Sequence, residues 1–201
     1  MIQIFIEDIS SIDEKTYNEI LLTLPRNRME RIRRLKFKHD KYMSALAGKL
    51  INDHLKEYKD KIVFNEHGKG YIEGNPIYYS LSHSFNKAML VLSDKEVGCD
   101  IEHIKERDID VAKRFFNENE YQEIIASNNP LETFIKFWTL KEATLKCKGV
   151  GLNEPLSSVH ISNGLLKSDD FEVVESKLVF DEYYMSIVIR KWDINNKLEP
   201  M

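Results

Sequence analysis

A chain of 201 residues, 42% hydrophobic and 31% charged, is long enough to bury a sizeable core, and this composition excludes a disordered polymer. It contains no apolar run of the ~18 residues a membrane span needs. Its start, Met1-Ile2-Gln3-Ile4-Phe5-Ile6-Glu7, alternates like a strand rather than like a secretory signal, so a cytoplasmic protein with no membrane partner is expected. The net charge of −4 argues against a general nucleic-acid binder, and the distant cysteines Cys99 and Cys147 suit a core better than a thiolate metal site.

After the first strand, Ser11-Ile12-Asp13-Glu14 has the form of a capping box, and Tyr17, Ile20, Leu21 and Leu24 continue a helix that Pro25 interrupts. From Arg26 to Lys41, eight Lys/Arg stand against Glu30 and Asp40, a local excess of six charges that suits an anion or simply a solvated helix face. A longer helix is expected over 40–58, where Met43, Leu46, Ala47, Leu50 and Ile51 recur with helical spacing and Gly48 permits close approach of a neighbour. A strand at 62–64 leads into His67-Gly68-Lys69-Gly70, a turn with Lys69 exposed at its tip, and Gly74-Asn75-Pro76 forms a further turn after Tyr71-Ile72. The strand at 77–81 delivers Ser82-His83-Ser84 at its end. Another follows at 88–92, and Ser93-Asp94-Lys95-Glu96 marks the boundary between an N-terminal half, 1–95, and a C-terminal half, 96–201.

Val97-Gly98-Cys99-Asp100-Ile101-Glu102 has the period of a strand, with Val97, Cys99 and Ile101 on one face and Gly98, Asp100 and Glu102 on the other. Two carboxylates on one face repel unless a positive group neutralises them. Oxygen ligands without His or Cys suit a hard ion such as Mg²⁺, although a solvated strand end is the simpler explanation of this segment alone. Ile109, Ala112, Phe115 and Phe116 suggest a helix ending near Asn117, and Asn117 to Glu120 reads as the cap of the next, which keeps Glu120 off the metal set. Asn128-Asn129-Pro130 starts a long helix that Gly149 and Gly151 stop. On it, Leu131, Phe134, Ile135, Trp138 and Leu145 form an apolar stripe, and Glu142 and Lys146 fall at the stripe's edge one turn apart, as an ordinary surface pair would. From Ser158 onward, alternation of β-branched and aromatic residues predicts a strand meander, and the last ten residues are expected to fray. The pattern as a whole gives an α+β fold.

Three segments, Leu81-Ser82-His83-Ser84, the G-x-D-I-E strand ending at Glu102 and the W-x-x-K-E-A-x-x-K helix from Trp138 to Lys146, together resemble the signature of the 4′-phosphopantetheinyl transferases. The chain is similar to the larger, surfactin-synthetase-activating type, from about Pro25 to Leu152. The resemblance implies two similar α/β halves related by a pseudo-twofold axis. It also implies transfer of the 4′-phosphopantetheine arm of coenzyme A to a serine of an apo carrier protein, acyl, peptidyl or aryl, with release of 3′,5′-adenosine bisphosphate. Asp100, Glu102 and Glu142 match the Mg²⁺ ligands, Glu142 is also the candidate base, and Lys146 would stabilise the bridging or leaving oxygen. Arg28, Arg31, Lys69, Ser82, His83 and Ser84 would hold the 3′-phosphate and adenosine of coenzyme A. A monomer is expected. The chain departs from the family pattern at Met43, where an Arg is common, at Gly70, which replaces the proline of a G-K-P turn, and at Ser80, where Asn is usual. A Mg²⁺-dependent phosphohydrolase, or a module binding an anionic partner through the basic run, are the readings from other classes.

Overall fold

The computed structural model describes residues 1–74 and 77–191; the expected turn at Asn75-Pro76 and the expected fraying of the last ten residues lie outside the described residues. The first half opens with strand β1 (Ile2–Asp8), followed by helices α1 (Glu14–Thr23), α2 (Arg26–Arg34) and α3 (Lys38–His54). A short hairpin, β2 (Ile62–Phe64) and β3 (Gly70–Ile72), precedes β4 (Tyr78–Ser84) and β5 (Lys87–Ser93). The second half holds β6 (Val97–His103), helices α4 (Glu118–Ile125) and α5 (Pro130–Lys148), the hairpin β7 (His160–Ser162) and β8 (Leu165–Lys167), and finally β9 (Phe171–Val179) and β10 (Tyr183–Arg190).

Two antiparallel three-stranded sheets result, in the orders β1-β5-β4 and β6-β10-β9. The first buries one face against α1 and α3, where Leu46, Leu50 and Leu90 are wholly enclosed. Each such side chain contributes about 1.5–3 kcal/mol. The second sheet carries α5, which packs on Tyr184 and Val188. The remaining faces meet each other: Ile2, Ile4, Met89 and Val91 pack with Val97, Cys99, Ile101 and Ile187. An α+β layering with helices outside and two sheets between is the consequence.

Local chemistry explains where the chain departs from its sequence pattern. The cap of α1 is Asp13, whose carboxylate accepts from the Thr16 amide, and not the Ser11 of the expected box. Helix α3 stops at His54, short of the expected end, and a 3-10 turn at Lys56–Lys61 carries the chain on. The expected helix before Asn117 is a 3-10 segment, Ile109–Arg114. The Asn117 capping box is present as expected, but Glu120 does more: wholly buried, it pairs with Lys141 of α5 at 2.9 Å and accepts from the Ile161 amide. Lys141 also donates to the carbonyls of Leu156 and Val159, so one buried ammonium ties α5 to the segment before β7. Only β9 and β10 of the expected meander join β6, whereas β7 and β8 pair with each other. Gly48 meets its expectation, since a Cβ there would lie 2.6 Å from Leu24.

Candidate active site

Strands β4 and β6 run side by side in the same direction without a backbone ladder. Serine hydroxyls bridge them instead: Ser80, Ser82 and Ser84 each accept from the backbone amide nineteen residues on, those of Cys99, Ile101 and His103. Two of these hydroxyls spend their own protons on the acidic row, Ser82 on Asp100 and Ser84 on Glu102, each at 2.7 Å. Ser82 and Ser84, expected to contact coenzyme A, therefore hold the carboxylates, and they sit within β4 rather than beyond its end. Ser80, the departure from the family's Asn, completes the same seam.

Helix α5 reaches this row because β6 has a glycine where the helix crosses. A Cβ on Gly98 would lie 1.9 Å from the Ala143 carbonyl oxygen, so nothing larger fits. That contact brings Glu142 and Lys146 to Asp100. Lys146 Nζ donates to Asp100 Oδ1 at 2.6 Å and to Ser82 Oγ at 3.0 Å. The expected single stripe understates α5, since Phe137, Leu140, Lys141, Ala143 and Cys147 are buried on its other faces, leaving Glu142 and Lys146 half-buried in the gap.

The electrostatics follow from crowding. Burial, and then Asp100, push Glu102 up to about 7. The same two causes, in the same order, raise Glu142. Burial lowers the Lys146 ammonium's pKa, but Asp100 and its neighbours more than offset this and hold it protonated. Asp100 itself is buried, and its Oδ2 has no hydrogen-bond partner. Among the described residues no group of three His, Cys, Asp or Glu side chains is arranged as a finished metal site. The expected Asp100, Glu102 and Glu142 set is thus gathered but not convergent, because Lys146 and the two serines supply the positive charge and donors. The chemistry of the donors, the unpaired Oδ2 of Asp100 and two carboxylates without His or Cys, is nevertheless the oxygen-only kind that a hard cation takes.

Beside the row lies a cavity of about 310 Å³ whose lining includes Arg28, Lys69, Tyr79, Leu81 and Lys146, and among the described residues no carboxylate. Lys69 is not exposed at a turn tip as expected: its Nζ folds onto the end of α5 and donates to the Cys147 carbonyl at 2.6 Å, and burial lowers its pKa. Arg28 enters from α2, with Nη2 donating to the Ser44 carbonyl, and burial followed by Arg31 lowers its pKa. Arg31 is exposed and outside the lining. His83 shares a strand face with Tyr79 and Leu81, and desolvation and then Lys146 lower its pKa. Met43, where the family often has Arg, is a core residue. Tyr79 has no counterpart among the sequence candidates: its hydroxyl is buried without a partner and burial pushes it up to about 12. It accounts for Gly70, since a Cβ there would be 1.8 Å from the Tyr79 oxygen, leaving no room for a proline.

Residues 96–186 match the model of the 4′-phosphopantetheinyl transferase superfamily. The chain is 31% identical over 166 residues to the 4′-phosphopantetheinyl transferase gsp of Aneurinibacillus migulanus, an alignment spanning 79% of this chain and 70% of that one. The chain belongs to the 4′-phosphopantetheinyl transferases. Sfp of Bacillus subtilis (strain 168) is 31% identical over 66% of this chain and 63% of its own length, and AcpT of Salmonella typhi 38% identical over 53% and 58%. The likeness to gsp and Sfp agrees with the larger type. For this transferase the family match covers the carboxylate strand and all of α5, so the seam just described lies where the matched segment meets the first half. No helix among the described residues is long and apolar enough to cross a membrane.

Proposed function

We propose that this phosphopantetheinyl transferase moves the 4′-phosphopantetheine arm of coenzyme A onto a serine hydroxyl of an apo carrier protein, with Mg²⁺, and releases 3′,5′-adenosine bisphosphate. The observation that carries this reading is the junction at Lys146, which bonds Asp100 and also lines the cationic cavity. Anion recognition and carboxylate chemistry meet at that ammonium. Arg28 and Lys69, with His83 on the same side of β4, would hold the 3′-phosphate, and Arg31 would contribute from the rim. Asp100, Glu102 and Glu142 would hold Mg²⁺, which when bound lowers the charge of the pyrophosphate. The serine oxygen attacks the phosphorus bearing pantetheine, the phosphoanhydride bond breaks, and the electron pair leaves on the bisphosphate. Glu142, whose pKa burial and then Asp100 raise, accepts the serine proton directly or through water. Lys146 would stabilise the bridging or leaving oxygen.

The two sheets, each backed by helices, support two halves, 1–95 and 96–201, related by a pseudo-twofold axis; a cytoplasmic monomer is part of the same proposal. The deciding experiment incubates apo acyl, peptidyl and aryl carrier domains with coenzyme A and either Mg²⁺ or EDTA and reads intact mass. A phosphopantetheine increment with Mg²⁺ alone supports the proposal. Free phosphopantetheine released without any carrier would instead make the chain a phosphohydrolase.

A further inference from the structure

Two hairpin loops expose phenylalanine where the backbone disfavours it. Phe85 opens the two-residue β4–β5 loop with φ of 48°, a position that short hairpins ordinarily give to glycine, and Phe180 in the β9–β10 loop has φ of 54°. Both rings are more than half exposed. A large apolar side chain that sits at a strained backbone position and stays more than half solvated returns little of that cost through burial, which points to a use for its exposed face.

The two loops come from different sheets yet converge. Phe85 stacks on His103 at 4.6 Å, His103 lies against Tyr183 at 4.9 Å, and Tyr183 meets Phe180 edge-on at 6.5 Å. The patch begins one residue beyond the carboxylate row, because Ser84 and Glu102, bonded to each other, immediately precede Phe85 and His103. Along β4 and β6 the order is therefore cationic cavity, carboxylates, aromatic patch. His39 of α3 borders Phe85 at 6.2 Å, and next to it stand exposed Phe37, Lys36 and Lys38. These lysines, part of the basic run, lie outside the lining of the cavity. Along this segment Lys36, Lys38 and Lys41 outnumber Asp40, which pairs with His39, while Glu182 lies against His103 at 3.7 Å, so the excess positive charge sits on the Lys36–Lys41 side of the patch.

We propose that Phe85, His103 and Phe180, with the basic segment Lys36 to Lys41 that leads into α3, form the docking surface for the acceptor carrier protein, recognising an acidic surface with an apolar centre. The assignment rests on the transferase activity proposed above. It follows from continuity with the carboxylate row, which the acceptor serine must reach, and from the charge of the basic segment.

The test compares the wild type with a Phe85→Gly/Phe180→Gly variant, using an apo carrier domain that the wild type modifies. Glycine relieves both left-handed positions, so the melting temperature should hold or rise, and coenzyme A affinity by calorimetry should not change. KM for the carrier should rise roughly tenfold or more, with kcat at saturating carrier retained. A Lys36→Glu/Lys38→Glu variant should raise the same KM, and the wild-type KM should rise with salt. Unchanged KM in both variants overturns the docking assignment and leaves the activity standing. A wild type that modifies no carrier overturns the activity, and the docking assignment with it. A wild-type dimer that the glycine variant converts to monomer would assign the patch to a second copy of the chain and overturn the proposal.

Discussion

Asp100 accepts from Lys146 and Ser82 through one oxygen and leaves the other buried and unpaired, so its charge is both held and unfinished. Asp100→Ala should abolish transfer while the fold survives, because the repulsion that raises Glu102 and Glu142 goes with it; Mg²⁺-dependent activity at the wild-type level would refute this. Glu142→Gln keeps the shape and removes the base, and turnover should fall far more than coenzyme A affinity. For the 3′-phosphate, Arg28 lines the cavity and Arg31 does not, so Arg28→Ala should erase most of the preference for coenzyme A over dephospho-coenzyme A and Arg31→Ala little. Charge-assisted hydrogen bonds of this kind contribute about 1.5–3 kcal/mol, a preference of roughly tenfold to a few hundredfold by calorimetry. Glu102 gives a pH signature. Its pKa is raised from 4.5 to about 7 in the folded state, so between those values the native protein binds more protons than the unfolded chain and stability falls as pH rises. Without divalent ions the melting temperature should drop across that window, and Glu102→Gln should flatten the drop.

At the scale of elements, the position of α5 on β6 decides whether a site exists. Gly98→Ala would drive a methyl into the Ala143 carbonyl, lift the helix and separate Lys146 from Asp100, so activity and stability should fall together. The Lys141–Glu120 pair fixes the same helix from its other side. Lys141→Ala should cost about 3–5 kcal/mol in denaturant unfolding because it strands a buried carboxylate, while replacing both partners by apolar residues should be far milder. These two contacts also mark what the sequence could disclose. Alternation separated Asp100 and Glu102 from Val97, Cys99 and Ile101 correctly, and the Asn129-Pro130 start and Gly149 stop framed α5. Lys141 could not be foreseen from spacing, since its partner lies on another helix and a lysine is ordinarily solvated. The serine seam escaped for a related reason: a hydroxyl that accepts from one strand and donates to a carboxylate looks identical, in sequence, to one awaiting a ligand. Lys69 followed the turn chemistry of its glycines, whereas the carbonyl that captures it belongs to the end of α5.

Across the whole molecule, two sheets with separate helical coverings share one apolar interface and one polar seam. The seam is where a ligand spanning the cavity and the carboxylates would touch both. Coenzyme A with Mg²⁺ should therefore raise the melting temperature more than the sum of their separate effects, since each completes a charge pattern the other leaves unbalanced. Transfer itself is read by intact-mass analysis of an apo carrier domain incubated with the purified chain, coenzyme A and Mg²⁺. A phosphopantetheine increment on one serine is expected, absent with EDTA and absent with Asp100→Ala. An unmodified carrier across acyl, peptidyl and aryl types, from a folded protein that binds coenzyme A, would contradict it.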